Sequence, residues 1–135
     1  MPPFAVTPLY AALCAILLVV LSLRVARLRN KLQVALGDGG ERVLQKAIRA
    51  QGNFVEYVPL ALLLLFLLEL SRQAPVWALH ALGLCLLLGR ILHAIGLSTS
   101  AGLTFGRVVG ITLTIAMMLI TAIWLLAVAL GRMAM

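Results

Sequence analysis

Four long apolar runs set the pattern of this chain: residues about 4–23, 48–70, 76–97 and 108–130. Each is close to the ~20 residues that cross the hydrocarbon core of a bilayer as a helix. Within the runs Leu, Ala and Val follow one another without the alternation that a membrane strand requires. That excludes a β-barrel and leaves helices, which satisfy their own backbone in lipid. The pattern predicts an all-α fold: one domain over residues 1–135, an integral membrane four-helix bundle.

The connections are unequal. Residues 71–74 alone separate the second and third runs, so these helices form a tight antiparallel hairpin, with Pro75 in the first turn of helix three. The first connection is long and basic, with a turn signal at Gly37-Asp38-Gly39-Gly40. After it, ERVLQKA (41–47) is helix-forming and extends helix two beyond the membrane. The third connection, STSAGLTFG (98–106), is polar and small, a mobile loop. The first run has no basic segment before it and several basic residues after it, which marks a retained helix rather than a cleaved leader.

Composition agrees with the pattern: 64% of the residues are hydrophobic and 11% charged, too apolar for an ordinary soluble domain. The net charge of +7 draws attention to nucleic acid, but its placement points elsewhere. Arg24, Arg27, Arg29, Lys31, Arg42 and Lys46 fall in or beside the first loop, and Arg107 begins helix four. The other ends of the helices carry Arg72 and Arg132. This is the distribution of the positive-inside rule, with loops one and three cytoplasmic and both termini outside. No nucleic-acid partner is expected. Cys14 and Cys85 sit within apolar runs as small hydrophobes, and no Cys/His spacing suggests a metal.

One stripe breaks the apolar pattern. Arg49, Asn53 and Glu56, followed by Tyr57 and Pro59, interrupt helix two. Ionisable groups inside a membrane face a partner, a cavity or a ligand. At 100° per residue, Gln45, Arg49, Asn53, Glu56 and Leu60 fall within an arc of roughly 80°, and Arg49 and Glu56 are about 10 Å apart along the axis. A cation and an anion so spaced match a zwitterion, with Arg49 forked onto a carboxylate and Glu56 taking an ammonium. Asn53 between them can donate to and accept from a peptide amide. The same residues would also serve a purely structural purpose, with Arg49 snorkelling and the others bonding between helices.

A second cluster lies at the end of helix three, where Arg90 and His93 share a face. The predicted topology brings them to the same membrane side as Arg49, Asn53 and Arg107, with Arg27 and Arg29 at the end of helix one. Convergence of basic groups from four helices favours an anionic ligand entering from the cytoplasm. The positive-inside rule alone produces a similar asymmetry. Trp77 and Trp124 read as packing or interface anchors, and Glu69 and His80 have no assigned role.

The run Arg49-Ala50-Gln51-Gly52-Asn53-Phe54-Val55-Glu56-Tyr57-Val58-Pro59-Leu60 resembles the RAxxNxxEYxPL signature of the MAPEG family, the membrane-associated proteins in eicosanoid and glutathione metabolism. The resemblance extends over the chain: four helices, a long first loop, and Gly89-Arg90-x-x-His93 near the end of helix three. Gly37-Asp38-Gly39-Gly40 resembles the bacterial inner-membrane branch of that family. The resemblance implies a homotrimer with glutathione between neighbouring subunits near the cytoplasmic face. By position it assigns glutathione binding to Arg49, Gln51, Asn53, Glu56 and Tyr57 on one helix, and to Arg90 and His93 on a partner helix. It also matches Arg27 and Arg29 to an arginine-containing region of helix one.

The implied chemistry is attack of the glutathione thiolate on a lipophilic electrophile or a hydroperoxide. That requires a cation near the sulfur, because a thiol near pKa ~8.5 is mostly protonated at neutral pH. Enzymatic members place an arginine near the start of helix four. Aligning the helix-three motif puts Thr104 there, with Arg107 about one turn on, so Arg107 is expected as thiolate stabiliser and Thr104 as a hydroxyl donor. Two other functions stay open. One is a non-catalytic glutathione- or lipid-binding protein of the same fold, since a fold does not fix a function. The other is a small multidrug exporter, which would use a membrane-embedded carboxylate, typically in helix one, where this chain has no acid.

Overall fold

A computed structural model describes residues 5–99, 102 and 104–134. Its elements in chain order are α1 (Val6–Leu32), α2 (Arg42–Ser71), α3 (Val76–Thr99) and α4 (Phe105–Met133). All four are long and apolar enough to cross a membrane. Phe4, where the first apolar run begins, and Ser100, Ala101 and Leu103 of the third connection lie outside the described residues.

The helices run past the apolar segments that predict them. α1 continues through Arg24, Arg27, Arg29 and Lys31, so these cations stand on a helix rather than in a loop. Arg and Lys are good helix formers, and basic residues in a last turn complement the macrodipole. The helix stops where Gln33 turns left-handed and its N–H bonds the Arg29 carbonyl. α2 starts at Arg42, so the basic stretch before the second apolar run is helical too. Pro59 lies inside α2, where it leaves the Val55 carbonyl without the usual i+4 donor. Pro75 stands just before α3, its carbonyl accepting from the N–H groups of Ala78 and Leu79.

α2 and α3 form the centre. α1 packs on both, α4 packs on both, and among the described residues α1 and α4 do not touch. The shared core runs from Tyr10 and Cys14 of α1 through Phe54, Val58, Ala61 and Leu65 of α2 to Leu86 and Met117. The closest pairing is α3 with α4. A Cβ on Gly89 would lie 2.9 Å from the Gly110 carbonyl oxygen, and one on Gly106 would lie 2.9 Å from the Leu92 carbonyl oxygen. Glycines on both helices thus let two backbones approach, the small-residue contact that membrane helices use in place of hydrophobic drive.

At the end of the bundle away from the first loop, Glu69 of α2 receives two amides of α1. Its Oε1 accepts from Val6 N at 2.9 Å and its Oε2 from Thr7 N at 2.8 Å. The first N–H groups of a helix have no partner within it, and here a carboxylate from a neighbouring helix supplies one. Tyr10 adds a second tie, donating to the His80 carbonyl at 3.0 Å. Replacing Glu69 by Leu leaves both amides unsatisfied and is expected to cost about 2 kcal/mol. Glu69→Gln, which keeps one accepting oxygen, should fall between Leu and wild type in thermal unfolding in detergent. Equal midpoints for all three proteins would show that the cap contributes nothing.

Candidate functional site

The polar stripe of α2 opens onto a cleft of about 190 Å³. Gln45, Lys46, Arg49 and Asn53 line it from α2, His93 and Leu97 from α3, and Arg107 from α4. Three helices therefore meet at the basic end of the bundle. The lining has four basic side chains and no carboxylate. Such a cleft concentrates positive potential and favours an anion.

Each lining residue has a local cause. The 3.6-residue period carries Gln45, Arg49 and Asn53 up one face of α2. Arg90 and His93, one turn apart, are both buried at the end of α3. Thr104 is the N-cap of α4, its Oγ1 accepting from Arg107 N at 3.3 Å. That cap fixes Arg107 in the first turn, where the positive end of the macrodipole adds to the guanidinium.

The sequence-predicted residues separate into groups. Arg49, Asn53, His93 and Arg107 come together in the cleft. Arg90 stands behind it, 1% exposed. Its NH1 donates to Asn53 Oδ1 at 2.8 Å and its NH2 to the Gly110 carbonyl at 3.2 Å. The guanidinium carbon lies 5.5 Å from the centre of the Tyr57 ring, within cation–π range. Tyr57 thus supports Arg90 within the chain. Glu56 does not line the cleft. It pairs with Arg49 at 3.9 Å, and the side chains of Glu56 and Arg49 are 54% and 62% exposed. Two long side chains close the two-turn gap into an ion pair, where the helix spacing alone predicts a cation and an anion about 10 Å apart along the axis.

The four other predicted residues stand elsewhere. Gln51 Nε2 donates to Ser22 Oγ at 2.9 Å, joining α2 to α1. Arg29 NH1 donates to the Gly37 carbonyl at 2.8 Å and to those of Val34 and Ala35 at 3.4 Å each, which organises the first connection. Arg27 is exposed. Thr104 acts as a cap and packs against Gly96. Thr before an apolar run is a favoured N-cap, and Thr104 takes that role rather than the hydroxyl donor that the resemblance implied.

Other contributors carry no distinguishing signal in the sequence. Lys46 carried only a charge there and here lines the cleft. Arg24 donates to Ser98 Oγ, tying the basic end of α1 to the end of α3. The glycines that seat α4 on α3, and so bring Arg107 to His93, look unremarkable within leucine-rich runs.

Comparison with known proteins fits this arrangement. The sequence profile of the MAPEG family matches residues 7–128. Inner membrane protein YecN of Escherichia coli strain K12 is 47% identical over 91 residues, covering 67% of this chain and 69% of YecN. YecN of Escherichia coli O6:H1 strain CFT073 matches with the same identity and coverage. No solved structure matches. The family match spans most of the chain, including all the residues that line the cleft, and this integral membrane protein of four helices belongs to the MAPEG family.

Proposed function

We propose that the protein is a membrane glutathione transferase acting on lipophilic electrophiles. The observation that carries this reading is the meeting of Arg49, Asn53, His93 and Arg107 from three helices in one cleft without a carboxylate. Glutathione presents two carboxylates, an ammonium, two amides and a thiol. Arg49 and Lys46 suit the carboxylates, Asn53 an amide carbonyl, and Arg107 the sulfur. The thiol loses its proton to solvent and the thiolate sulfur attacks an electrophilic carbon. A carbon–sulfur bond forms, and the leaving group departs with the electrons of its bond. An apolar electrophile reaches the cleft laterally from the lipid.

The working assembly in this reading is a homotrimer. Support comes from the Arg49–Glu56 ion pair, which is exposed on a single copy although α2 has the length and hydropathy of a membrane span. An ion pair facing lipid is costly, and a neighbouring copy would cover it. The cleft end faces the cytoplasm, in keeping with the basic first connection, and the bacterial inner membrane is the expected location by analogy with YecN. A non-catalytic glutathione- or lipid-binding role on the same bundle differs from this reading in one respect, that no thiol ionises. An exporter is disfavoured because Glu56, the carboxylate of the stripe, is paired with Arg49.

The test is a titration of the purified protein in detergent with glutathione, following the ultraviolet absorbance of a thiolate. Release of chloride from chlorodinitrobenzene is measured alongside. A saturable thiolate signal with chloride release is expected. Calorimetric binding without either would make the protein a binder rather than a transferase. No binding by a confirmed trimer would overturn the glutathione reading.

A further inference from the structure

The geometry points to Arg90 as a positioning residue that makes Asn53 a hydrogen-bond donor to the ligand. The inference rests on the proposed glutathione cleft and specifies the polarity of one contact in it. Arg has five N–H donors and no acceptor. The atom of Asn53 that meets Arg90 NH1 at 2.8 Å must therefore be the oxygen, whichever way the amide is first drawn. With Oδ1 drawn onto the guanidinium, the NH2 is the group that Asn53 can turn toward the cleft that it lines. In isolation an asparagine side chain can donate and accept. Here the oxygen is turned to the guanidinium.

Arg90 is itself held in place. It is 1% exposed, it donates to the Gly110 carbonyl of α4 at 3.2 Å, and its guanidinium stands 5.5 Å from the Tyr57 ring centre. It does not line the cleft, and among the described residues no carboxylate pairs with it. A guanidinium so fixed does not rotate to release Asn53. Its charge also adds to that of Lys46, Arg49 and Arg107 from behind the amide. The chemical class selected at this point is an acceptor, a carbonyl or carboxylate oxygen. A ligand that offers an N–H or an ammonium there meets a donor and is rejected.

The decisive substitution is Asn53→Asp. It keeps an oxygen against Arg90 and gives the buried guanidinium a charged partner, so the bundle should stay folded. It also puts an oxygen in place of the NH2 facing the cleft. Ligand-free N53D is expected to unfold in detergent at or above the wild-type midpoint, and its glutathione affinity is expected to fall by at least about tenfold. Arg90→Lys, which keeps a donor for Oδ1, should retain affinity within a few-fold. In an Asn53→Leu background the same R90K change should have no further effect on affinity, because Arg90 acts through Asn53.

N53D binding glutathione as tightly as wild type would overturn the inference while leaving the glutathione reading intact. So would an R90K loss of affinity of more than a few-fold that persists undiminished in the Asn53→Leu background. Sulfate, read by its stabilisation of the protein against heat, serves as a second anion for the same cleft. If wild type binds sulfate but not glutathione, the ligand assignment fails, and the inference stands only if N53D loses the sulfate effect. A cleft that takes neither anion overturns both.

Discussion

Gly110→Ala is expected to lower the thermal midpoint of the protein sharply and to disperse the cleft, although alanine is the better helix former. In an exposed helix interior the change stabilises by about 1 kcal/mol. Here a Cβ on Gly110 would stand 2.5 Å from the Gly89 carbonyl oxygen and 2.5 Å from His93 N. Both are backbone atoms of α3, so no side-chain rotation relieves the overlap and α4 must move away. Overpacking of a close contact costs about 1–3 kcal/mol when side chains can adjust, and the upper end or beyond applies when they cannot. The displaced contact is also the one that carries Arg107 alongside His93 and that receives Arg90 through the Gly110 carbonyl. Loss of glutathione binding should therefore accompany loss of stability. Gly131→Ala is the control. It lies in the same helix with nothing within 4 Å of the added Cβ and should leave the midpoint unchanged or slightly raised. If Gly110→Ala unfolds like Gly131→Ala, close backbone contact between α3 and α4 is not what seats the cleft.

That dependence explains which parts of the site the sequence made legible. Four apolar runs are enough to read four helices, because lipid leaves the backbone few alternatives. The stripe of α2 is legible for the same reason: Arg49 and Asn53 stand out against leucine, and both do line the cleft. Arg90 also stands out, but its type gives no sign of whether it faces a ligand or a neighbouring helix. Only packing decides that, and packing turns it onto Asn53 and Gly110. Arg29 is a similar case, a cation near the expected site whose guanidinium holds loop carbonyls instead. Glu69 reads as a stray acid until α1 is placed beside it, since its partners are amides more than sixty positions away. The helix ends exceed the apolar runs because basic residues favour helix after the membrane no longer demands it. Residues whose role depends on a partner far away in sequence are those that pattern alone does not resolve.

Arg107→Ala is expected to leave glutathione bound and to remove most of its thiolate. An unperturbed thiol near pKa ~8.5 is only about 3% ionised at pH 7. A cation within a few ångströms lowers a neighbouring acid by about 1–3 units, and two units would make the bound thiol roughly three-quarters ionised at pH 7. Removing that cation should reduce the thiolate absorbance at saturating glutathione by more than about tenfold. The pH profile gives the sign. In wild type the rate of chloride release should be half-maximal near pH ~6.5 and level off about one unit higher, whereas in Arg107→Ala the half-maximal point should move to about pH 8.5. Arg107→Lys should fall between them, because an ammonium keeps the charge but not the planar fork. Arg107 suits this task better than Thr104. Thr104 Oγ1 accepts from the backbone N–H of Arg107 at 3.3 Å, and Thr104 does not line the cleft, whereas Arg107 does. Thr104 is thereby a cap that presents Arg107, and Thr104→Ala should weaken the thiolate signal less than Arg107→Ala. A full thiolate signal in Arg107→Ala would move the activating charge to Arg49 or Lys46, the other fixed cations of the lining. A signal lost together with binding would make Arg107 an anchor for a carboxylate instead. Calorimetry on the same samples separates these outcomes.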